Sequence, residues 1–226
     1  MNAAPDFLSQ LDLDDRAVLE RSAIRREYPR GCVLLHRGDD AAGVLVLLEG
    51  HVKIAAATPD ARDAVLGFRG PGDLVGELAA IDGERRSADV AAIEPVVALT
   101  LAATDFKRLA SQRPGIGRAL LQVVVSRQRQ ADRDLATLGA NDVLGRVARR
   151  LIELCERYGS DCDAGVAITL PLTQEELAGW TGSSREAVSK ALNTLRGLGW
   201  VETHRRELVV RDVQSLRLYT GVAAEA

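Results

Sequence analysis

The chain is poor in cysteine and has no long apolar run, and both shortages narrow what it can be. Cys32, Cys155 and Cys162 are the only cysteines among 226 residues, an odd number with no CxxC spacing. A disulfide framework, a structural zinc site and an iron–sulfur cluster are therefore not expected; buried or idle thiols in a reducing cytoplasm are. No stretch approaches 18 consecutive apolar residues, so no membrane-spanning helix is expected. The first residues, Met1-Asn-Ala-Ala-Pro-Asp-Phe, lack the basic start and apolar core of a secretory signal. His36 and His51 are two lone histidines of the β domain, and no metal set of two close histidines plus a carboxylate is visible. No nucleophile stands beside a base. The expectation is a cytoplasmic protein that is not an enzyme and holds no metal or cofactor.

What is present points elsewhere. The composition, 46% hydrophobic and 27% charged, is that of a soluble globular protein, long enough for one large domain or two ordinary ones. Net charge is −3, but it is unevenly spread. From Arg185 to Arg217 seven basic residues face four acids, a local charge of +3. Affinity for DNA needs positive charge only where the phosphates lie, so an acidic total does not exclude it.

The periodicity changes twice along the chain. Asp6 to Arg26 reads as helical, with Leu8, Leu11, Val18, Leu19 and Ile24 as its apolar positions. After Tyr28-Pro-Arg-Gly come short apolar runs at Cys32–Leu35, Val44–Leu48, Val52–Ala55, Ala64–Phe68 and Val96–Leu101, separated by Gly, Pro and Asp turns. Many short strands at such intervals suggest an antiparallel sandwich or small barrel. Pro114 to Leu138 turns helical again, and Ile116, Leu120, Val123, Ala131, Leu135 and Leu138 trace a near-heptad seam interrupted by Arg127. Such a seam needs a partner, either its own β domain or the same helix of a second copy, and a homodimer is the expectation. Gly139-Ala-Asn-Asp breaks the helix; Asn141 or Asp142 can cap the next one, Val143 to Tyr158. These breaks divide the chain into a β-rich domain (1–112), a dimerisation helix (113–139) and a C-terminal domain (140–226), with a hinge at 139–142.

The C-terminal part carries the most specific pattern, Thr173-Gln-Glu-Glu-Leu-Ala-Gly-Trp-Thr-Gly-Ser-Ser-Arg-Glu-Ala-Val-Ser-Lys. Thr173 with Glu176 and Ser183 with Glu186 have capping-box spacing, and Gly182 supplies the turn between two helices. Val188, Ala191, Leu192 and Leu195 form one apolar stripe. Arg185, Glu186, Ser189, Lys190 and Asn193 line the other face, with side chains suited to base edges and phosphates. Gly199 to Val210 alternates like a hairpin with a basic tip at Arg205. The pattern predicts a winged helix-turn-helix that binds double-stranded DNA.

A second cassette, Gly72-Asp-Leu-Val-Gly-Glu-Leu-Ala-Ala-Ile-Asp-Gly-Glu-Arg-Arg-Ser-Ala, lies among the strands. Gly76 allows close approach of the backbone, and Glu77 starts a short helix. Arg86 and Ser87 add a guanidinium and a hydroxyl, a combination suited to a phosphate. Glu77 would suit a ligand that also offers a sugar hydroxyl. Equally, Glu77 and Arg86 could pair and stabilise a surface loop.

With Gly-Glu-Leu…Arg-Ser-Ala, a long helix, Asn-Asp-Val-x-Gly-Arg-Val-Ala and Thr-Gln-Glu-Glu…Ser-Arg-Glu-Ala-Val-Ser-Lys in this order, the chain resembles the CRP/FNR family of bacterial transcription regulators, most closely its cyclic-AMP receptor branch. The resemblance implies an α+β chain: a cyclic-nucleotide-binding β-roll (double-stranded β-helix or jelly roll), a long dimerisation helix and a C-terminal winged helix-turn-helix. It implies that Glu77, flanked by Gly76 and Leu78, holds a ribose 2′-hydroxyl, and that Arg86 and Ser87 bind a cyclic phosphate with Ala88 closing the cassette. The base-contacting hydroxyls of the cyclic-AMP receptor are replaced by Ala131 and Asp132, which brings the identity of the effector into question. On DNA it implies base reading by Arg185, Glu186 and Lys190 in TGTGA-like half-sites, with Thr173, Gln174, Ser184, Ser189 and Arg205 at the interface, and RNA polymerase as a partner. The family's iron–sulfur and haem sensors are not matched, because the cysteines and axial ligands they need are missing here.

Overall fold

The computed structural model describes residues 6–57, 63–138, 142–204 and 207–221. These form two compact units that divide between Gln130 and Ala131, inside the long helix.

The first unit opens with a 3-10 turn, Leu8–Gln10, and α1 (Leu13–Arg21). There follow β1 (Ile24–Tyr28), β2 (Val33–Leu35), β3 (Gly43–Glu49), β4 (Val52–Ala57), β5 (Asp63–Arg69), β6 (Leu74–Val75), α2 (Glu77–Asp82), β7 (Asp89–Ala92), β8 (Val96–Ala102) and α3 (Ala103–Gln112). The strands make two antiparallel four-stranded sheets, β1-β8-β3-β6 and β2-β7-β4-β5. Strand β3 shows why the sequence reads as an unbroken apolar run there. Leu45 and Leu47 point between the sheets, where Val52, Val75, Val90, Val96 and Ala98 complete a core. Val44 and Val46 point the other way, onto Phe7, Leu19, Phe106 and Ile116 of the flanking helices. A strand covered on both faces has no polar face to show.

The segment Ile24–Tyr28, read in part as helix, is instead a strand paired to β8 from Ile24↔Thr100 to Tyr28↔Val96. Ile24 is exposed rather than buried. It lies on an edge strand with Arg25, Arg26 and Glu27, charges that suit an open sheet edge and that local apolar spacing cannot distinguish from the end of a helix.

Helix α4 (Pro114–Leu138) is the long helix anticipated. Its seam divides in two, however. Ile116, Ala119 and Val123 are buried in the helix-side core of the first unit, with Leu120 partly so. Leu121, Val125 and Leu135 are exposed on α4, and Ala131 is exposed as well. The side chain of Leu138, together with Gly139, Ala140 and Asn141, lies outside the described residues.

In the second unit Asp142 caps α5 (Val143–Tyr158), its Oδ1 accepting from the Gly145 amide at 2.8 Å. Beyond α5 come β9 (Gly159–Cys162), β10 (Gly165–Ile168), α6 (Gln174–Thr181), α7 (Arg185–Gly197), β11 (Val201–His204), β12 (Glu207–Val210) and α8 (Val213–Thr220). The strands form one antiparallel sheet, β11-β12-β10-β9. Val147, Ala148, Leu151, Ile152 and Leu154 of α5 are buried, and α6, α7 and α8 all pack on it. The architecture is α+β: a β-roll, a long helix and a winged helix-turn-helix.

Candidate functional site

The cassette is built around a sharp turn. Gly76 has φ 80°, and a Cβ there would lie 2.7 Å from Arg86 Nη1 and 2.8 Å from Leu35 Cδ1, so a side chain is excluded by both conformation and space. Arg86 is buried, donating from Nη1 to the Gly76 carbonyl at 2.6 Å and from Nη2 to the Gly43 carbonyl. Burial pulls its pKa below the ordinary arginine value, opposed by the negative charges of Glu77 and Asp39. Ala88 is buried, while Ser87 and Leu78 are exposed.

Glu77, the first residue of α2, is only 4% exposed. Its ion pair is made not with Arg86 but with Arg127 of α4, whose Nη1 donates to Oε1 at 2.6 Å. Arg127 Nη2 also donates to the Leu74 carbonyl at 2.7 Å and lies 4.0 Å from Asp73. Glu77 and Arg86 are thus both enclosed, and they do not form a surface-loop pair with each other. Sequence reasoning took Arg127 only for an interruption of the seam. The available signal was a cation on an apolar stripe of one element, with a lone acid on another that needed a counter-charge once buried.

The helix-turn-helix elements follow the caps. Thr173 accepts from the Glu176 amide while Glu176 accepts from the Thr173 amide, a complete capping box at the start of α6. Gly182 ends α6 at φ 58°, as the turn requires. The second cap falls one residue later than the spacing suggested: Ser184, not Ser183, accepts from the Ala187 amide at 3.2 Å. Ser183 is drawn instead into the turn, where its hydroxyl accepts from Arg146 Nη2 at 3.0 Å, and Arg146 Nε donates to the Thr181 carbonyl at 2.9 Å. Sequence reasoning missed this strut from α5.

On α7, Val188, Ala191, Leu192 and Leu195 are buried as expected. Arg185, Glu186 and Lys190 are exposed on its first turns with Ser189 half-buried beside them, and Thr173 and Gln174 are exposed at the start of α6. The wing is the β11–β12 hairpin, with Val201 opposite Val210 and Thr203 opposite Leu208. Its tip residue Arg205 lies outside the described residues.

Elsewhere, His51 Nδ1 is paired with Glu94 Oε1. Among the described residues no group of three or more His, Cys, Asp or Glu could hold a metal ion, and no helix is long and apolar enough to cross a membrane. Burial pushes the Cys155 thiol up to about 12, with Glu156 adding to the shift and Arg217 opposing it; Cys162 is exposed.

A β-roll followed by one long helix and a winged helix-turn-helix defines a class, the helix-turn-helix transcription regulators. Comparison with known proteins narrows it. Residues 25–113 match the cyclic nucleotide-binding domain and residues 145–219 the Crp-like helix-turn-helix domain. Over 190 residues, 84% of this chain and 85% of the relative, the sequence is 33% identical to the CRP-like cAMP-activated global transcriptional regulator of Mycobacterium tuberculosis. Among solved structures, the c-di-GMP-responsive global regulator CLP of Xanthomonas campestris superposes with a TM-score of 0.78 at 25% identity, over 88% of this chain and 99% of that one. A CRP-family transcriptional regulator of Thermus thermophilus gives 0.75 at 26% identity, over 89% and 99%. The chain belongs to the CRP/FNR family of bacterial transcription regulators, and its second unit is a DNA-binding domain.

Proposed function

We propose that this regulator is a cytoplasmic homodimer that reads a two-fold symmetric operator and is modulated by a cyclic nucleotide of the cyclic-AMP type bound at residues 1–112. Residues 113–139 supply the dimer helix, residues 140–226 the DNA-binding domain, and RNA polymerase is the partner on DNA. The observation that carries the effector reading is the pair of buried opposite charges that flank the short helix α2, Glu77 at its start and Arg86 just beyond its end. Arg86 spends two donors on neutral carbonyls. A phosphate offers charged acceptors to the same guanidinium, and such bonds are roughly twice as strong as neutral ones. Ser87 is exposed beside it, and Glu77 can accept from a ribose hydroxyl.

The base is the open part of the assignment. Ala131 offers no hydrogen bond, and the Asp132 carboxylate can only accept. A guanine edge, with two neighbouring donors, suits an acceptor-only group better than adenine, which alternates donor and acceptor. The two relatives differ in effector by their descriptions, cAMP for one and c-di-GMP for the other. These residues support the alternative of a different small molecule, or of constitutive DNA binding.

The dimer reading is supported by Leu121, Val125 and Leu135, which are 63%, 40% and 72% exposed on one helix at heptad-like spacing. On DNA, Arg185 can fork onto guanine O6 and N7, Glu186 can accept from a cytosine amine, and Lys190 adds a point charge with looser preference. Thr173, Gln174, Ser184, Ser189 and Arg205 are assigned to the backbone and flanking contacts.

The test is fluorescence anisotropy on a TGTGA-type palindrome at fixed salt, without nucleotide and with cyclic AMP or cyclic GMP. A tenfold gain in affinity, about 1.4 kcal/mol of coupling, is expected with one of them. Arg86→Leu should remove the gain and keep the nucleotide-free affinity. A gain that survives Arg86→Leu refutes the site, and tight binding indifferent to either nucleotide supports the constitutive alternative.

A further inference from the structure

Arg150 of α5 joins three elements of the second unit. Its Nη1 donates to Asp134 Oδ1 at 3.0 Å and its Nη2 lies 3.0 Å from Asp134 Oδ2, a two-pronged pair with the last turns of α4. Nη1 also donates to Glu153 Oε2 at 2.7 Å on α5 itself. The guanidinium carbon sits 4.6 Å from the centroid of the buried Trp180 ring on α6. Only 13% of the Arg150 side chain is exposed. Burial alone would lower its pKa, but the carboxylates of Glu153 and Asp134 outweigh burial and raise it.

Filling space above Trp180 does not require a cation, since an apolar side chain there would avoid the desolvation that a buried ion pair incurs. What the guanidinium adds is geometry. Its fork fixes Asp134 in one orientation while its plane rests against one ring. The linkage also joins residues that lie on either side of 139–142. One turn earlier on α5, Arg146 holds the Thr181 carbonyl and the Ser183 hydroxyl, the turn from which α7 departs. Two arginines at i and i+4 on one helix therefore grip the end of α4 on one side and the base of the recognition helix on the other.

We infer that Asp134, Arg150 and Trp180 form a latch that couples the end of the long helix to the helix-turn-helix, with Arg150 as a positioning residue for DNA recognition. The inference rests on the DNA-binding reading and not on any choice of effector. Arg150 touches no base or phosphate in this role; it decides whether a change at α4 and a change at α7 are felt by each other.

Amide hydrogen exchange in the full-length protein tests it, because exchange reports local opening segment by segment. Without DNA, Asp134→Asn, a change of one atom on a half-buried side chain, should speed exchange of residues 131–138 at least fivefold. Equal rates would overturn the latch whatever happens on DNA. With a duplex selected by the protein from a random pool, the unaltered protein should show at least fivefold slowing both at 184–190 and at 131–138. Asp134→Asn and Arg150→Leu should keep the slowing at 184–190 and reduce that at 131–138 to less than twofold. Slowing at 131–138 that persists in Asp134→Asn overturns the coupling even if Arg150→Leu fails to fold. A lack of slowing at 184–190 in the unaltered protein would instead refute the DNA-face assignment, and the comparison without DNA would still decide the latch.

Discussion

Replacing Arg127 by leucine should destabilise the first unit in a pH-dependent way, and the size follows from what the change strands. The Glu77 side chain is 5% exposed and accepts from Arg127 at 2.6 Å. Breaking a buried pair from one side typically costs about 3–5 kcal/mol, because the remaining charge keeps its desolvation penalty and loses its partner. Proton uptake by the stranded carboxylate bounds that cost. Neutralising a glutamate of solution pKa ~4.3 at pH 7 takes about 3.7 kcal/mol, at 1.36 kcal/mol per unit. Arg127 is itself 22% exposed and some water reaches it, so about 2–3 kcal/mol at pH 7 is expected. The sign with pH is fixed. In the variant the folded state favours the protonated acid, so its deficit is smallest below about pH 4.3 and grows as pH rises toward 7. At pH 5 the same bound is only about 1 kcal/mol. Urea unfolding of wild type, Arg127→Leu, Glu77→Gln and the double variant at pH 5 and pH 7 gives the coupling directly. If Arg127→Leu lost less than 0.5 kcal/mol at pH 7, or as much at pH 5 as at pH 7, the buried-pair reasoning would be wrong.

Leu121→Glu with Val125→Glu should convert a dimer to monomer in sedimentation experiments. Each leucine-sized group withdrawn from an interface removes about 1.5–3 kcal/mol, so association should weaken at least a hundredfold; an unchanged sedimentation coefficient at micromolar protein would refute the assigned face. Thr173→Ala removes one half of a capping box and should cost about 0.5–2 kcal/mol in the second unit, read as a lower thermal midpoint. In native protein at pH 8 iodoacetamide should label Cys162 and spare Cys155, whose thiol at about 12 leaves on the order of one thiolate in ten thousand. Equal labelling of the two by mass spectrometry would contradict the burial of Cys155.

The parts of this fold that were legible in the sequence are those where a local rule and the tertiary demand agree. The Thr173–Glu176 box, the Gly182 turn and the Val188–Leu195 stripe each need only four to eight residues to state their case, and each is realised. The errors arose where a distant partner decides. Ile24–Tyr28 is a strand because β8 lies beside it, about 70 residues on. Ser183 leaves the cap to Ser184 because Arg146, on a different helix, binds its hydroxyl. The α4 stripe was read as one seam, yet Ile116 and Val123 point into the unit's own core while Ala131 and Leu135 are exposed, as are Leu121 and Val125, which that seam left out. At 3.6 residues per turn a helix carries two apolar faces whose members interleave in sequence, and spacing alone cannot assign them to separate partners.

Arg127 shows why the cassette was only half legible. The motif names Glu77 and Arg86, whose roles follow from their own chemistry, but the neutralisation of Glu77 comes from a residue 50 positions away. Seven residues further along the same helix stands Asp134, two turns or about 10 Å from Arg127 by the helical rise. One helix thus bears a cation committed to Glu77 and an anion committed to Arg150. The one charge that looks like a defect in the apolar seam, Arg127, is therefore a point at which the helix is held.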